Sequence, residues 1–116
     1  MTIHFYLLYI EPVDISIFPS AYSEYHGSQV TARCYASGKP TPTGVNWYKD
    51  GALLSNGGQY SIVQTTIDST NISSLLTIDS LTESDEGMYT CSGTNVLPNG
   101  TVTDSSSFTL TVEGGQ

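Results

Sequence analysis

Apolar and polar residues alternate with a period of two in short runs along this chain, the spacing of strands that bury one face. Residues 28–37 set Val30, Ala32, Cys34 and Ala36 on one side and Thr31, Arg33 and Tyr35 on the other. Residues 13–18 alternate and stop at Pro19. Residues 45–49 put Val45 and Trp47 on one side, and residues 106–113 alternate Phe108, Leu110 and Val112 with Thr109 and Thr111. Runs at 60–67, 73–78 and 88–95 read the same way, with a short piece at 52–55. Between them stand the breakers Lys39-Pro40-Thr41-Pro42, Asp50-Gly51, Asn56-Gly57-Gly58, Asp68-Ser69-Thr70-Asn71 and Pro98-Asn99-Gly100. Turn signals at such regular spacing, without a helical period, predict an all-β antiparallel sandwich or barrel. At 116 residues the chain has the size of one domain with one core.

Composition narrows the function. Hydrophobic residues make up 38% of the chain and charged residues 12%, so solubility rests on Ser, Thr, Asn and Gly. Eleven acids against three bases give a net charge of −8. Arg33, Lys39 and Lys49 are too few to neutralise a run of phosphates, and the sign opposes docking to an anionic membrane. No run is long enough for a transmembrane helix, so no direct membrane insertion is expected. The apolar stretch at 3–10 lacks a basic start and a small-residue cleavage site, and residues 1–11 read as a retained leader or an added edge strand. Gly114-Gly115-Gln116 reads as a tail.

Cys34 and Cys91 stand far apart, with no C-x-x-C and with His4 and His26 both upstream. Zinc would need two further ligands at workable spacing, so the reading is a structural disulfide, which implies an oxidising compartment. Closing so long a loop stabilises a fold by roughly 4 kcal/mol in chain-entropy terms. Two N-x-S/T sequons, at Asn71 and Asn99, are candidate glycosylation sites in that compartment.

Trp47 follows the first cysteine by 13 residues and would fill the gap beside a disulfide between facing sheets. Tyr89 is in phase with Cys91 and therefore inward, so its hydroxyl needs a partner, most simply a carbonyl of the preceding turn. Asp85 and Gly87 suit a tight corner there. These residues, with Leu76-Thr77-Ile78-Asp79-Ser80-Leu81 and Asp85-Glu86-Gly87-Met88-Tyr89-Thr90-Cys91, resemble the immunoglobulin superfamily over residues 12–113. Gly38-Lys39-Pro40-Thr41-Pro42 and Lys49-Asp50-Gly51 are similar to its intermediate-set domains in adhesion molecules and receptors. The short distance from Trp47 to Leu76 leaves room for one short extra strand. One departure stands out: Gln59 occupies the place where related domains often carry an arginine paired with the corner aspartate.

Catalytic signatures are absent from the sequence, and no cofactor or metal is expected. His26 reads as a solvated turn residue. Asp79, Glu83, Asp85 and Glu86 lack a calcium-loop pattern and read as a solvated corner. The alternation instead places Asn46 and Tyr48, then Met88, Thr90 and Ser92, then Ser107, Thr109 and Thr111, on one uncharged outer face. Tyr and Met favour interface centres and charge is depleted there, which makes this a candidate protein-binding face. The opposite face, with Asp14, Arg33, Tyr35 and Asp79, reads as ordinarily solvated. The resemblance implies an extracellular, non-catalytic recognition module of a cell-surface adhesion protein or receptor, with a protein partner that includes a second copy of itself. A receptor tyrosine kinase ectodomain module and a structural spacer in a tandem array are the alternatives.

Overall fold

The computed structural model describes residues 10–114. Nine strands follow in order: β1 (Glu11–Phe18), β2 (Ala21–Tyr25), β3 (Val30–Lys39), β4 (Val45–Lys49), β5 (Ala52–Leu53), β6 (Tyr60–Thr66), β7 (Asn71–Ile78), β8 (Gly87–Leu97) and β9 (Gly100–Glu113). A short 3-10 turn, Glu83–Asp85, precedes β8. They form two sheets, β1-β3-β7-β6 and β2-β9-β8-β4-β5. All pairings are antiparallel except β2 with β9, because the chain changes sheets at Pro19. The expected two-sheet antiparallel sandwich is what forms.

Alternation explains the core. Inward positions of β3 and β7 are all buried, while Thr31 and Tyr35 remain exposed. Cys34 and Cys91 are bonded to each other across the sheets. Trp47, Tyr89 and Phe108 fill the space around them: Tyr89 stacks on Phe108 at 5.1 Å between centroids, and Trp47 meets the same ring edge-on at 6.4 Å. Leu76, Ile78, Leu81 and Leu110 complete the layer.

One local expectation needs correction. The segment around Pro98 is not an extended loop: β8 and β9 continue as one long ladder to Leu97↔Gly100, leaving Pro98-Asn99 as the turn. Thr101, Thr103 and Ser105 face outward and Val102 packs inward, so a largely polar strand is stabilised by its ladder. Strand β2, over residues that carry no strand signal in the sequence, has little apolar alternation of its own and forms because β9 offers it an edge. Residues 1–9 of the expected leader, with Gln116 and Gly115 of the expected tail, lie outside the described residues; Glu11 already belongs to β1.

Both rims near β1 are closed by side chains. Asn95, 2% exposed, accepts from the Val13 amide at 3.1 Å and donates to the carbonyls of Glu11 and Pro40, each at 3.0 Å. The Asp104 carboxylate accepts from the Ile15 amide at 2.8 Å. Strands of one sheet thus satisfy the outer amides of an edge strand in the other, and block it from pairing with another chain.

Candidate recognition face

The corner before β8 sets the position of the outer face. Asp85 is buried, and its carboxylate accepts from the Thr82 amide at 2.8 Å and from the Gln59 side-chain amide at 3.2 Å. Tyr89 donates its hydroxyl to the Asp85 carbonyl at 2.6 Å. Burial first, then the neighbouring Tyr60 and Asp85, push the Tyr89 phenol well above its ordinary value, so it stays a neutral donor. The other acids of this corner each have their own partner. Asp79 accepts from Gln29, Glu86 accepts from the Val112 amide, and Glu83 lies 3.5 Å from His26.

Gly87 starts β8 at φ 150°, where a side chain is strained, and a Cβ there would stand 2.5 Å from the Asp50 carboxylate. That close approach lets Asp50 clasp β8: its carboxylate accepts from the Met88 amide at 2.9 Å, and its own amide donates to the Met88 carbonyl at 2.8 Å. Asp50 and Gly51 both have positive φ, the form of a two-residue hairpin turn between β4 and β5. The Met88 amide, then Lys49, hold the Asp50 carboxyl below its ordinary value.

Register now fixes the face. Tyr48 pairs with Thr90 and with Leu53, Thr90 pairs with Ser107, and Met88 pairs with Thr109. Asn46 pairs with Ser92, and Thr111 follows Thr109 toward the end of β9. All eight residues expected on the binding face, Asn46, Tyr48, Met88, Thr90, Ser92, Ser107, Thr109 and Thr111, therefore share one outer surface. Met88 is 50% exposed. Thr90 and Ser107 are hydrogen-bonded at 2.8 Å and Thr94 and Thr103 at 3.0 Å, so the hydroxyls saturate one another across strands.

Sequence reasoning missed Leu53 and Val96, 61% and 64% exposed on this same face. The turn at Asp50-Gly51 was the available signal for Leu53. The outward positions of β4, β5 and β8 carry no charged side chain, and β9 carries Glu113 alone, at its end. A shallow cleft of about 450 Å³ opens beside Tyr48, bounded by Gly44, Asn46, Ser92, Thr94 and Thr103.

Of the two sequons, Asn99 lies exposed at the β8–β9 turn. Asn71 opens β7 and spends its side-chain amide on Asp68 at 2.9 Å and Thr70 at 3.0 Å. On the opposite sheet, Phe18 and Val63 join the expected Tyr35 as exposed residues, at 74%, 54% and 43%. No helix among the described residues is long and apolar enough to cross a membrane.

Two facing sheets, one disulfide between them, a tryptophan beside it and a tyrosine bonded back to its own corner define a class of disulfide-stapled β-sandwich domains. The family described as the immunoglobulin domain matches residues 12–95, and the chain belongs to it. It is 29% identical to mouse basal cell adhesion molecule over 110 residues, 94% of this chain and 15% of that protein. With the muscle M-line assembly protein unc-89 of Caenorhabditis elegans it shares 38% identity over 69 residues, 60% of this chain and 1% of that protein. The chain thus spans a small part of each relative. Among solved structures, the N-terminal eight Ig domains of Down Syndrome Cell Adhesion Molecule match with TM-score 0.77 and 28% identity, covering 90% of this chain and 13% of that one. A chimeric titin Z1Z2 matches with TM-score 0.75 and 25% identity, covering 91% and 49%. The domain resembles those of both cell-adhesion and muscle-assembly proteins.

Proposed function

We propose that this domain is a non-catalytic, extracellular protein-recognition module of a cell-surface protein, and that it pairs with a second copy of itself through the β2-β9-β8-β4-β5 face. The observation that carries this reading is the distribution of charge. A chain of net charge −8 meets its like against strong repulsion unless the contact keeps carboxylates apart. The outer positions of β4, β5 and β8 do so, and they present Tyr48, Leu53, Met88 and Val96 among neutral hydroxyls. Resemblance to basal cell adhesion molecule supports an adhesive role, and the inter-sheet disulfide supports an oxidising compartment. In that compartment Asn99, at the exposed turn, is the glycan acceptor.

A second reading, a spacer within a tandem array, is favoured by the resemblance to titin Z1Z2 and unc-89. Combining Tyr48→Ala with Met88→Asp separates the two. Under the recognition reading the pair abolishes self-association and leaves the melting temperature nearly unchanged. Association unaltered by the pair overturns that reading.

A further inference from the structure

The outer face of the β1-β3-β7-β6 sheet carries a feature that neither recognition through the other sheet nor spacing requires. Register aligns Phe18 with Arg33, Arg33 with Leu75, and Leu75 with Val63, so one cross-strand row reads aromatic, cation, aliphatic, aliphatic. Tyr35, two residues on from Arg33, flanks the row. Phe18, Pro19, Tyr22, Arg33, Tyr35 and Leu75 line a concavity of about 290 Å³. Its wall is held in place, since the Tyr22 ring packs edge-on against the buried Phe108 and its hydroxyl donates to the Thr31 carbonyl.

Arg33 is the cation of this hollow, in a chain with 11 acids. Among the described residues it lies within ion-pair distance of no carboxylate, and its guanidinium donates to the Ser73 hydroxyl at a long 3.4 Å. Asp14, on the same outer face of β1, stands four residues away from Phe18, about 13 Å along the strand. The guanidinium therefore keeps unused donors at the centre of an apolar rim. Any partner that covers Phe18 and Tyr35 takes that charge out of water. Covering it is unfavourable unless a carboxylate arrives in the same contact, where the planar fork can hold both its oxygens.

We propose that this hollow is a second docking site, whose occupant is a protein segment that presents a carboxylate flanked by an aromatic or aliphatic group, with the carboxylate on Arg33 and the apolar group against Phe18 and Tyr35. The charge complementarity selects against basic segments and against purely apolar ones, so the site discriminates as well as binds.

The test uses phenylacetate as the probe, with acetate and phenylethylamine as controls, titrated into the oxidised chain and followed by amide chemical shifts. Phenylacetate is expected to move the amides of Phe18, Arg33, Tyr35 and Leu75 saturably, and the two controls to leave them still. Arg33→Gln should weaken the binding about tenfold or more, because a charge-assisted pair is lost. Phe18→Ser, at an exposed position that the core does not use, should weaken it independently. Absence of saturable shifts, equal binding of the amine, or full binding by the folded Arg33→Gln chain would overturn the proposal. Should Arg33→Gln fail to fold, undiminished binding by Phe18→Ser overturns it instead. None of these outcomes touches the Tyr48 face, so the two surfaces stand or fall separately.

Discussion

Gln59 donates its side-chain amide to the buried Asp85 carboxylate at 3.2 Å and to the Asp79 carbonyl at 3.0 Å. A neutral amide thus does here what related domains often assign to an arginine. Asp85 has a second partner in the Thr82 amide, so it does not depend on a cation. Replacing Gln59 by Arg would add Coulomb attraction and remove a guanidinium from water, and these terms roughly cancel at a partly buried site. Gln59→Arg is expected to be neutral or mildly stabilising, within about 1 kcal/mol. A thermal melt with a clear loss would contradict this placement of Gln59.

Tyr89→Phe removes the donor to the Asp85 carbonyl while keeping the ring on Phe108. The carbonyl is left without that bond in a buried corner, at a cost of about 1–3 kcal/mol. Chemical denaturation should show a lower midpoint with an unchanged slope.

The buried Trp47 indole donates to Ser74 at 3.0 Å. Ser74→Ala is small enough to fit and leaves that N–H without a partner, so about 1–2 kcal/mol should be lost. Ser74→Thr, which keeps a hydroxyl, should recover part of it in the same unfolding assay.

Asn95→Leu withdraws three hydrogen bonds at once, from Val13, Glu11 and Pro40. A loss of at least about 3 kcal/mol is expected, with faster hydrogen exchange at the Val13 amide. Exchange unchanged at Val13 would show that Asn95 does not close the β1 rim.

Asp50 gives the acid dependence a sign. Its carboxyl is held below the ordinary value when folded, by the Met88 amide first and Lys49 next. The stabilisation is therefore present above the unfolded-state value of 3.8 and is lost as pH falls through the lower folded value. Asp50→Asn keeps a residue that tolerates positive φ and removes the charge. Melting temperatures taken from about pH 5 down to about pH 2 should converge for the two chains at the acid end. Parallel curves would contradict the clasp.

The parts of this fold that a local pattern encodes were readable from the sequence. β3 shows its buried face by strict alternation, and Cys34, Trp47, Asp85, Tyr89 and Cys91 mark the sandwich by their types and spacing. What stayed hidden depends on contacts between distant segments. Asn95 and Asp104 reach amides on β1 from the opposite sheet, and nothing near either residue announces it. The strand through Thr101, Thr103 and Ser105 looks like loop because its stability comes from pairing with β8. Most of the binding face was visible by phase alone. Leu53 and Val96 joined it only when register placed one beside Tyr48 and the other across from Thr101. The Phe18–Arg33–Leu75 row needed the register of two further ladders.

Sedimentation equilibrium of the oxidised chain over a wide concentration range tests the self-recognition claim most directly, with Tyr48→Ala/Met88→Asp alongside and with residues 1–9 removed from each. The account predicts a concentration-dependent dimer that survives the truncation and disappears in the double variant. A monomer at every concentration, or association that vanishes with residues 1–9, would contradict it.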